Sequence, residues 1–334
     1  MEYDKHKCQN NIFLCNFGGP ETPEEVQPFL QKLFEDPFII RAPLGPLRKP
    51  LASRIAKKRS PQSTEDYRSI GFSPINKYTV TQAKLLEDLL KKTHENSKVM
   101  VVNRYTAPFA QDVVKNADLK NARNYILSLY PHLSHSTTVS SFRDFDLAVE
   151  SVYGNRDFTS SRIFSWWHNP KYLQLVKEDL NKVIQTAISD GHKKLNILFS
   201  AHGLPVKYYN KGDPYVDEIK AHFDHIKRLC IPDISGDIDH HWSLSFQSRV
   251  GPVEWVKPYT EETVIELAKS RGGALIMVPV SFTSDHIETL YEMDVMYKED
   301  TIKAGMDAYY RVLAPNEDPR FTECLADVLY QAGF

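Results

Sequence analysis

One histidine, His202, stands where its side chain could carry out acid–base chemistry. Residues 195–199, LNILF, are apolar apart from Asn196, which predicts a buried strand leading into a loop that contains Gly203 and Pro205. Open α/β sheets bind their ligands at the carboxyl ends of their strands, and neutral imidazole accepts protons near pH 7. Its position at a strand end alone would be equally consistent with a purely structural role for His202. The glycine and proline beside it favour a functional role.

A group of acidic residues follows another predicted strand, residues 274–280. Asp285 and Glu288 have the spacing of a capping box, which predicts that a helix starts there. On that helix Glu288 and Glu292 are four residues apart, so their like charges raise the proton affinity of at least one of them. The same spacing would result if Glu288 only capped the helix and Glu292 were a solvated surface residue. The position at a carboxyl edge of the sheet, next to His286, favours a functional pair.

The elements that must position these residues alternate between strand and helix patterns, which predicts doubly wound parallel sheets. A chain of 334 residues suits two domains of ordinary size, and the polar stretch at 151–161 is the predicted joint between them. The glycine turn at 18–19 lacks both the dinucleotide pattern and the P-loop lysine. The predicted strands are 11–16, 99–105, 125–129, 195–199, 240–246 and 274–280, and the predicted helices are 81–92, 170–189, 216–230, 261–269 and 318–332.

Composition excludes several classes of protein. The net charge of −2 gives no electrostatic basis for binding nucleic acid. No stretch approaches the roughly 20 apolar residues of a transmembrane helix, and the N-terminus has no apolar core of a signal peptide. The cysteines have no metal-binding or disulfide spacing, so they indicate a reducing compartment and no four-cysteine iron–sulfur cluster; they are Cys8, Cys15, Cys230 and Cys324.

The sequence SAHGLP at 200–205, followed by KGDPY at 211–215, resembles the signature of the ferrochelatase family. The sequences QSRVGP at 247–252 and SFTSDHIETLYEMD at 281–294 are similar to further family motifs. The resemblance implies two Rossmann-like lobes, each a parallel sheet flanked by helices, with the active-site cleft between them. On this basis residues 1–155 form the N-terminal lobe, residues 156–315 form the lobe with the catalytic residues, and residues 316–334 form a helix that packs back on the first lobe.

The resemblance also implies residue roles. His202 would take protons from the pyrrole nitrogens or help to deliver the metal, with Glu288 facing it across the porphyrin, and Glu292 would join them as a metal ligand. Some relatives continue this row of carboxylates for one more turn, where this chain has Met296. The residues expected to bind the substrate are Phe17, Arg59, Ser73, Tyr105, Trp255 and Phe282.

Residues 39–59 combine leucines with many basic residues, and prolines at 43, 46 and 50 interrupt the first half. A solvated basic helix would explain the composition. An apolar lip with a basic surround can also lie on an anionic membrane, and the resemblance implies a lid over the porphyrin mouth. Arg59 is expected to pair with a propionate. We therefore expect a cytoplasmic protein that is peripheral at the inner face of the cell membrane.

The resulting hypothesis is a ferrochelatase that inserts Fe(II) into protoporphyrin IX to form protohaem, the last step of haem biosynthesis. No second arginine-rich loop offers partners for the four propionates of coproporphyrin. No permanently bound cofactor is expected, because Fe(II) is the substrate. No iron–sulfur cluster is expected either, since the chain stops at Phe334 without the cysteine-bearing extension of some relatives and has His135 where they can have cysteine.

Three alternatives remain for the function: a coproporphyrin ferrochelatase, a sirohydrochlorin cobaltochelatase and a non-enzymatic tetrapyrrole-binding protein. A cobaltochelatase is expected to carry more histidines at the metal site, and a carrier needs an axial haem ligand but no proton acceptor opposite it. The expected partners are the porphyrin, ferrous iron and a membrane surface, with contact to the preceding enzyme of the porphyrin pathway as a further prediction.

Overall fold

A computed structural model describes residues 9–334 and divides them into two compact units. The first unit extends to Trp166 and also includes Asn316–Phe334, and the second is Trp167–Pro315. The division therefore falls after Trp166 and not near residue 155. The reason is that the strand Ser160–Ile163, which sequence reasoning placed beyond the joint, pairs in parallel with a strand of the first unit.

Strands and helices alternate along the described chain. In chain order the elements are β1 (Gln9–Asn16), α1 (Pro23–Glu35), α2 (Arg48–Ser69), α3 (Ile75–Lys91), β2 (Ser97–Asn103), α4 (Ala110–Lys115), β3 (Ala122–Ser128), α5 (Ser140–Tyr153), β4 (Ser160–Ile163), α6 (Pro170–Ser189), β5 (Lys194–His202), α7 (Val206–Tyr209), α8 (Tyr215–Cys230), β6 (Asp239–Gln247), α9 (Thr260–Ser270), β7 (Ala274–Pro279), α10 (Lys298–Lys303), β8 (Ala308–Arg311) and α11 (Pro319–Gln331). Two 3₁₀ turns, Gly45–Leu47 and Ile231–Asp233, and two π-helical segments, His135–Val139 and Glu288–Tyr297, complete the set.

The first unit is built on a parallel sheet of strand order β2-β1-β3-β4. Its central strand β1 is buried on both faces, and Ile12, Phe13 and Leu14 are fully inaccessible. This explains why residues 12–15 of β1, IFLC, are all apolar and do not alternate with polar residues. Helices α4 and α5 pack against the face that carries Phe13, while α11 packs against α3.

The second unit repeats this plan with the strand order β6-β5-β7-β8, again all parallel. Side chains of β5 alternate between two cores. Ile197 and Phe199 pack with α6 and α8 on one face, and Leu198 packs with α9 and the end of the π-helix Glu288–Tyr297 on the other. The expected doubly wound architecture is therefore confirmed in both units.

The lid segment is more regular than its prolines suggest. Residues 45–47 form the 3₁₀ turn, and α2 begins directly afterwards at Arg48. Pro50 lies in the first turn of α2, where its missing N–H breaks no helical hydrogen bond. No helix in the part of the chain that the structure describes combines the length and apolar character that a membrane crossing requires.

Candidate active site

His202 is the last residue of β5 and lies in register with Gln247 of β6. Sequence reasoning ended this strand at 199, whereas the strand continues to the histidine itself. The next residue must be glycine, because a Cβ on Gly203 would lie 2.8 Å from the Gln247 carbonyl oxygen and 2.9 Å from a ring carbon of Trp255. The strand therefore delivers His202 at the carboxyl edge of the sheet, where 41% of its side chain is exposed.

Glu288 is the direct partner of this histidine. Its Oε2 lies 2.8 Å from His202 Nδ1. A carboxylate only accepts hydrogen bonds, so Nδ1 must carry the proton, and Nε2 of the neutral ring has a free lone pair. No partner for Nε2 lies among residues 9–334. The two residues are thus in direct contact, in the geometry of a carboxylate that orients a base. The expected arrangement, with Glu288 across the porphyrin from His202, is not the one in this structure, because no macrocycle fits between atoms 2.8 Å apart.

The two groups shift each other's titration. Burial lowers the pKa of His202, but the charge of Glu288 and its hydrogen bond outweigh this and raise that pKa above its ordinary value. Burial raises the pKa of Glu288, and the charge and hydrogen bond of His202 reverse this and hold that pKa well below its usual range. The pair therefore favours an imidazolium beside a carboxylate, the state that follows proton uptake by His202.

Glu292 lies in a polar cage of its own and is not the solvated residue that its spacing would allow. Its Oε2 accepts hydrogen bonds from Gln247 Nε2 at 3.0 Å, Ser248 Oγ at 2.7 Å and the Tyr297 hydroxyl at 3.3 Å. Burial, assisted by the negative charge of Glu288, raises the pKa of Glu292 to about 7. This carboxyl group can therefore take up or release a proton near neutrality.

The segment that carries both glutamates is a π-helix, and the predicted capping box is wrong. The helix begins at Glu288, and Asp285 instead accepts a hydrogen bond from Arg311 Nη1 at 2.8 Å. The capping contact is shifted by one residue, because the backbone N–H of His286 donates to Thr289 Oγ1 at 3.0 Å. The capping spacing therefore located the helix correctly and misassigned the residues that start it. π-helical segments occur often at functional sites.

Trp255 and Phe282 line this region but are both only 8% exposed. The Trp255 ring approaches His202 edge-on, with the two ring centroids 6.3 Å apart. The Phe282 ring lies 4.9 Å from the His286 ring, and His286 Nε2 lies 3.9 Å from Glu288 Oε2. The second unit thus brings together all of its predicted site residues.

Two predicted substrate-binding residues of the first unit form an aromatic pair. Phe17 is partly exposed and contacts Tyr105 edge-on, with ring centroids 4.5 Å apart. Tyr105 itself is 1% exposed, and its hydroxyl donates to Asp36 Oδ2 at 2.7 Å. Tyr105 therefore packs beside Phe17 with little exposed surface, and its contact with the substrate stays a prediction.

Ser73 and Arg59 have different surroundings. Ser73 is 6% exposed and packs against the glycine turn so closely that a Cβ on Gly19 would lie 2.4 Å from its Oγ. Little of Ser73 is exposed, and its contact with the substrate stays a prediction. Arg59 is exposed, and its guanidinium carbon lies 5.7 Å from the centre of the Phe34 ring. Its charge remains available to an anionic ligand.

Sequence reasoning missed the residues that hold the acidic side chains of this region. Gln247 and Ser248 belong to a motif that was singled out, but nothing in the sequence indicates that they hold Glu292. Tyr297 and Arg311 carry no sequence signal, because their partners are brought to them only by the fold. In residues 9–334 no group of three or more histidine, cysteine or acidic side chains is arranged to hold a metal ion.

The described cysteines are buried thiols. Cys15, Cys230 and Cys324 form no disulfide and are inaccessible. Burial raises the pKa of Cys230 to about 12, which keeps this thiol protonated at neutral pH. Cys8 lies outside the described residues.

Comparison with known proteins identifies the family. The family model for ferrochelatase matches residues 9–332. A ferrochelatase of Synechococcus sp. (strain WH7803) is 41% identical over 323 residues, which cover 95% of this chain and 81% of the relative. A ferrochelatase of Synechocystis sp. is 41% identical over 329 residues with the same coverage of both chains.

A solved structure is similar in fold. SirB from Bacillus subtilis with Fe3+ aligns with a TM-score of 0.53 at 11% identity, over 97% of this chain and 95% of that chain. At this identity the likeness concerns the fold alone. The match of the family model across nearly the whole described chain and the relatives at 41% identity show that the chain belongs to the ferrochelatase family of metal chelatases, which are lyases.

Proposed function

We propose that this protein inserts Fe(II) into protoporphyrin IX to form protohaem, with His202 as the general base. The observation that carries the assignment of the base is the 2.8 Å hydrogen bond between His202 Nδ1 and Glu288 Oε2. It fixes the tautomer with the lone pair on Nε2 and stabilises the imidazolium that proton uptake produces.

The chemistry requires two proton acceptors. Metallation removes two pyrrole protons while a divalent ion enters, so the charge of the bound macrocycle is unchanged. His202 accepts a proton at Nε2, and Glu288 neutralises the imidazolium. Glu292, whose pKa is raised toward neutrality, is the second group able to carry a proton at working pH.

Iron is a substrate in this reaction and binds only transiently. Imidazole nitrogen and carboxylate oxygen both suit ferrous iron, so we propose that the ion contacts His202, Glu288 and Glu292 in succession. No permanently bound cofactor and no iron–sulfur cluster are proposed. Trp255 and Phe282 supply the aromatic edges that hold the macrocycle near these groups.

The choice of protoporphyrin is supported by how the lid uses its arginines. Arg48 donates to the carbonyl oxygens of Ile40 and Ala42, and Arg41 donates to the Phe38 carbonyl and to Ser136 Oγ. These two guanidinium groups therefore hold the lid together. Arg59 makes no such contact and stays available to a propionate. A substrate with two propionates requires fewer cationic partners than one with four.

The lid is also the surface that we propose for membrane contact. Leu47 is 68% exposed at the end of the 3₁₀ turn, and Leu51 is 38% exposed one turn further along α2. Lysines and arginines of α2 surround this lip, which suits an anionic bilayer from which an apolar porphyrin could be taken up. We propose a cytoplasmic protein, peripheral at the inner face of the cell membrane. Contact with the preceding pathway enzyme stays a prediction.

An insertion assay with defined substrates tests this function. The purified protein is offered Fe(II) with protoporphyrin IX, Fe(II) with coproporphyrin and Co(II) with sirohydrochlorin, and product formation is followed by absorbance. We expect turnover mainly on protoporphyrin. Preference for coproporphyrin or for cobalt insertion would replace the substrate assignment, and binding without turnover on any of them would show a carrier.

A further inference from the structure

A buried ion-pair cluster in the second unit takes no part in the chemistry proposed above. Arg311 ends β8, and both it and Asp285 have only 5% of their side chains exposed. The guanidinium Nη1 lies 2.8 Å from Asp285 Oδ1, while Nε and Nη2 lie 2.6 and 2.7 Å from the two oxygens of Asp294. One cation therefore holds two carboxylates, one of them in bidentate geometry.

The two carboxylates flank the active-site glutamates in sequence. Asp285 precedes the π-helix Glu288–Tyr297 and Asp294 lies within it, so Glu288 and Glu292 fall between the two points of attachment. A shift of the helix by one residue would carry both glutamates away from their partners and would break the contacts of Arg311. The cluster is thus placed to fix the register of this segment.

A π-helix requires such support more than an α-helix does, because its wide turn packs less well and rarely persists by itself. The same edge strand supplies a second attachment, since the Tyr309 hydroxyl donates to the Met293 carbonyl oxygen at 2.7 Å. Buried ion pairs add little net stability compared with apolar packing, and their best-attested effect is to select one geometry. The bidentate contact of Arg311 is suited to that effect.

We propose that Arg311 is a positioning residue for iron insertion, which fixes the register of the π-helix so that Glu288 meets His202 and Glu292 meets Gln247. Its kinetic consequence rests on the proposed function, whereas its structural consequence does not. Arg311 contacts neither substrate nor the reacting atoms, so its loss should affect turnover through the two glutamates and leave porphyrin affinity nearly unchanged.

The first test is Arg311→Met in the full chain. We expect kcat to fall by at least about tenfold while the Kd for protoporphyrin stays within about threefold. Hydrogen exchange of peptides from 288–297 should accelerate by at least about tenfold. The matched control is Arg162→Met, because Arg162 also lies on a short edge strand, β4, and binds Asp146 in bidentate fashion at 3.0 and 2.5 Å. We expect Arg162→Met to leave both kcat and the hydrogen exchange of peptides from 288–297 unchanged.

Arg311→Met leaves the buried carboxylate of Asp285 and the 35% exposed carboxylate of Asp294 without their cation, and the buried one can prevent folding. A triple variant, Arg311→Met with Asp285→Asn and Asp294→Asn, removes these charges. We expect its melting temperature to recover while kcat and exchange at 288–297 remain altered, since the fixed geometry is still lost. If kcat and the hydrogen exchange at 288–297 both returned to wild-type values in the triple variant, the proposal would be overturned. Exchange needs no turnover, so an inactive wild type would refute the proposed function without deciding the role of Arg311.

Discussion

Replacing Glu288 by glutamine perturbs the contact on which the proposed proton transfer depends. Glutamine keeps the size of the side chain but cannot neutralise an imidazolium across the 2.8 Å contact with His202. A hydrogen bond to a charged group contributes about 1.5–3 kcal/mol. Because 41% of the His202 side chain is exposed, solvent screening favours the lower end, about 1.5 kcal/mol. A factor of ten in rate corresponds to about 1.4 kcal/mol, so we expect kcat to fall at least tenfold.

The same substitution should change the pH dependence of kcat. The negative charge of Glu288 raises the pKa of His202, so in the wild type the imidazole becomes protonated, and loses its function as a base, already at relatively high pH. Without that charge the neutral base persists to lower pH, and the acidic limb of the profile moves down. Initial rates at saturating porphyrin measure this. A fall in kcat of less than about threefold, or a limb that moves to higher pH, would refute the reasoning.

Three further predictions follow from single contacts. Gly203→Ala should lower the melting temperature and kcat, because its Cβ would lie 2.9 Å from a tryptophan ring carbon, whereas Gly236→Ala, with open space around it, should change neither. Leu47→Asp should weaken co-sedimentation with anionic vesicles, while Leu147→Asp on α5, also exposed, should not. Glu292→Gln should reduce kcat less than Glu288→Gln does, because Glu288 is the residue that contacts His202. An equal loss in the two variants would show that the two glutamates act as one unit.

Much of the fold could be predicted because its central elements have strong periodicity. The helix Pro170–Ser189 agrees with its prediction at both ends, since Asn169 caps it and a proline opens it. Strands β4 and β8 were missed. Both have four residues at a sheet edge, are only partly buried and lack an apolar run, so no local signal distinguishes them from loops.

In the candidate site, too, sequence patterns predicted the residues placed by local structure and missed those placed by contacts distant in the chain. His202 and Glu288 could be predicted because His202 ends a buried strand of a parallel sheet and Glu288 follows another. The capping role of Asp285 could not be judged from spacing alone, because its partner Arg311 lies on a strand that sequence reasoning did not find. Residues that act through contacts distant in the chain leave no periodic pattern.

The measurement that tests the central assignment most directly is kcat for Fe(II) insertion by His202→Ala, with porphyrin affinity determined on the same preparation. We predict that metallation is abolished while the Kd for protoporphyrin stays within about tenfold, because the base acts on the bound macrocycle and contributes little to holding it. Turnover equal to that of the wild type would contradict the account, since His202 would then be a structural residue at the end of β5.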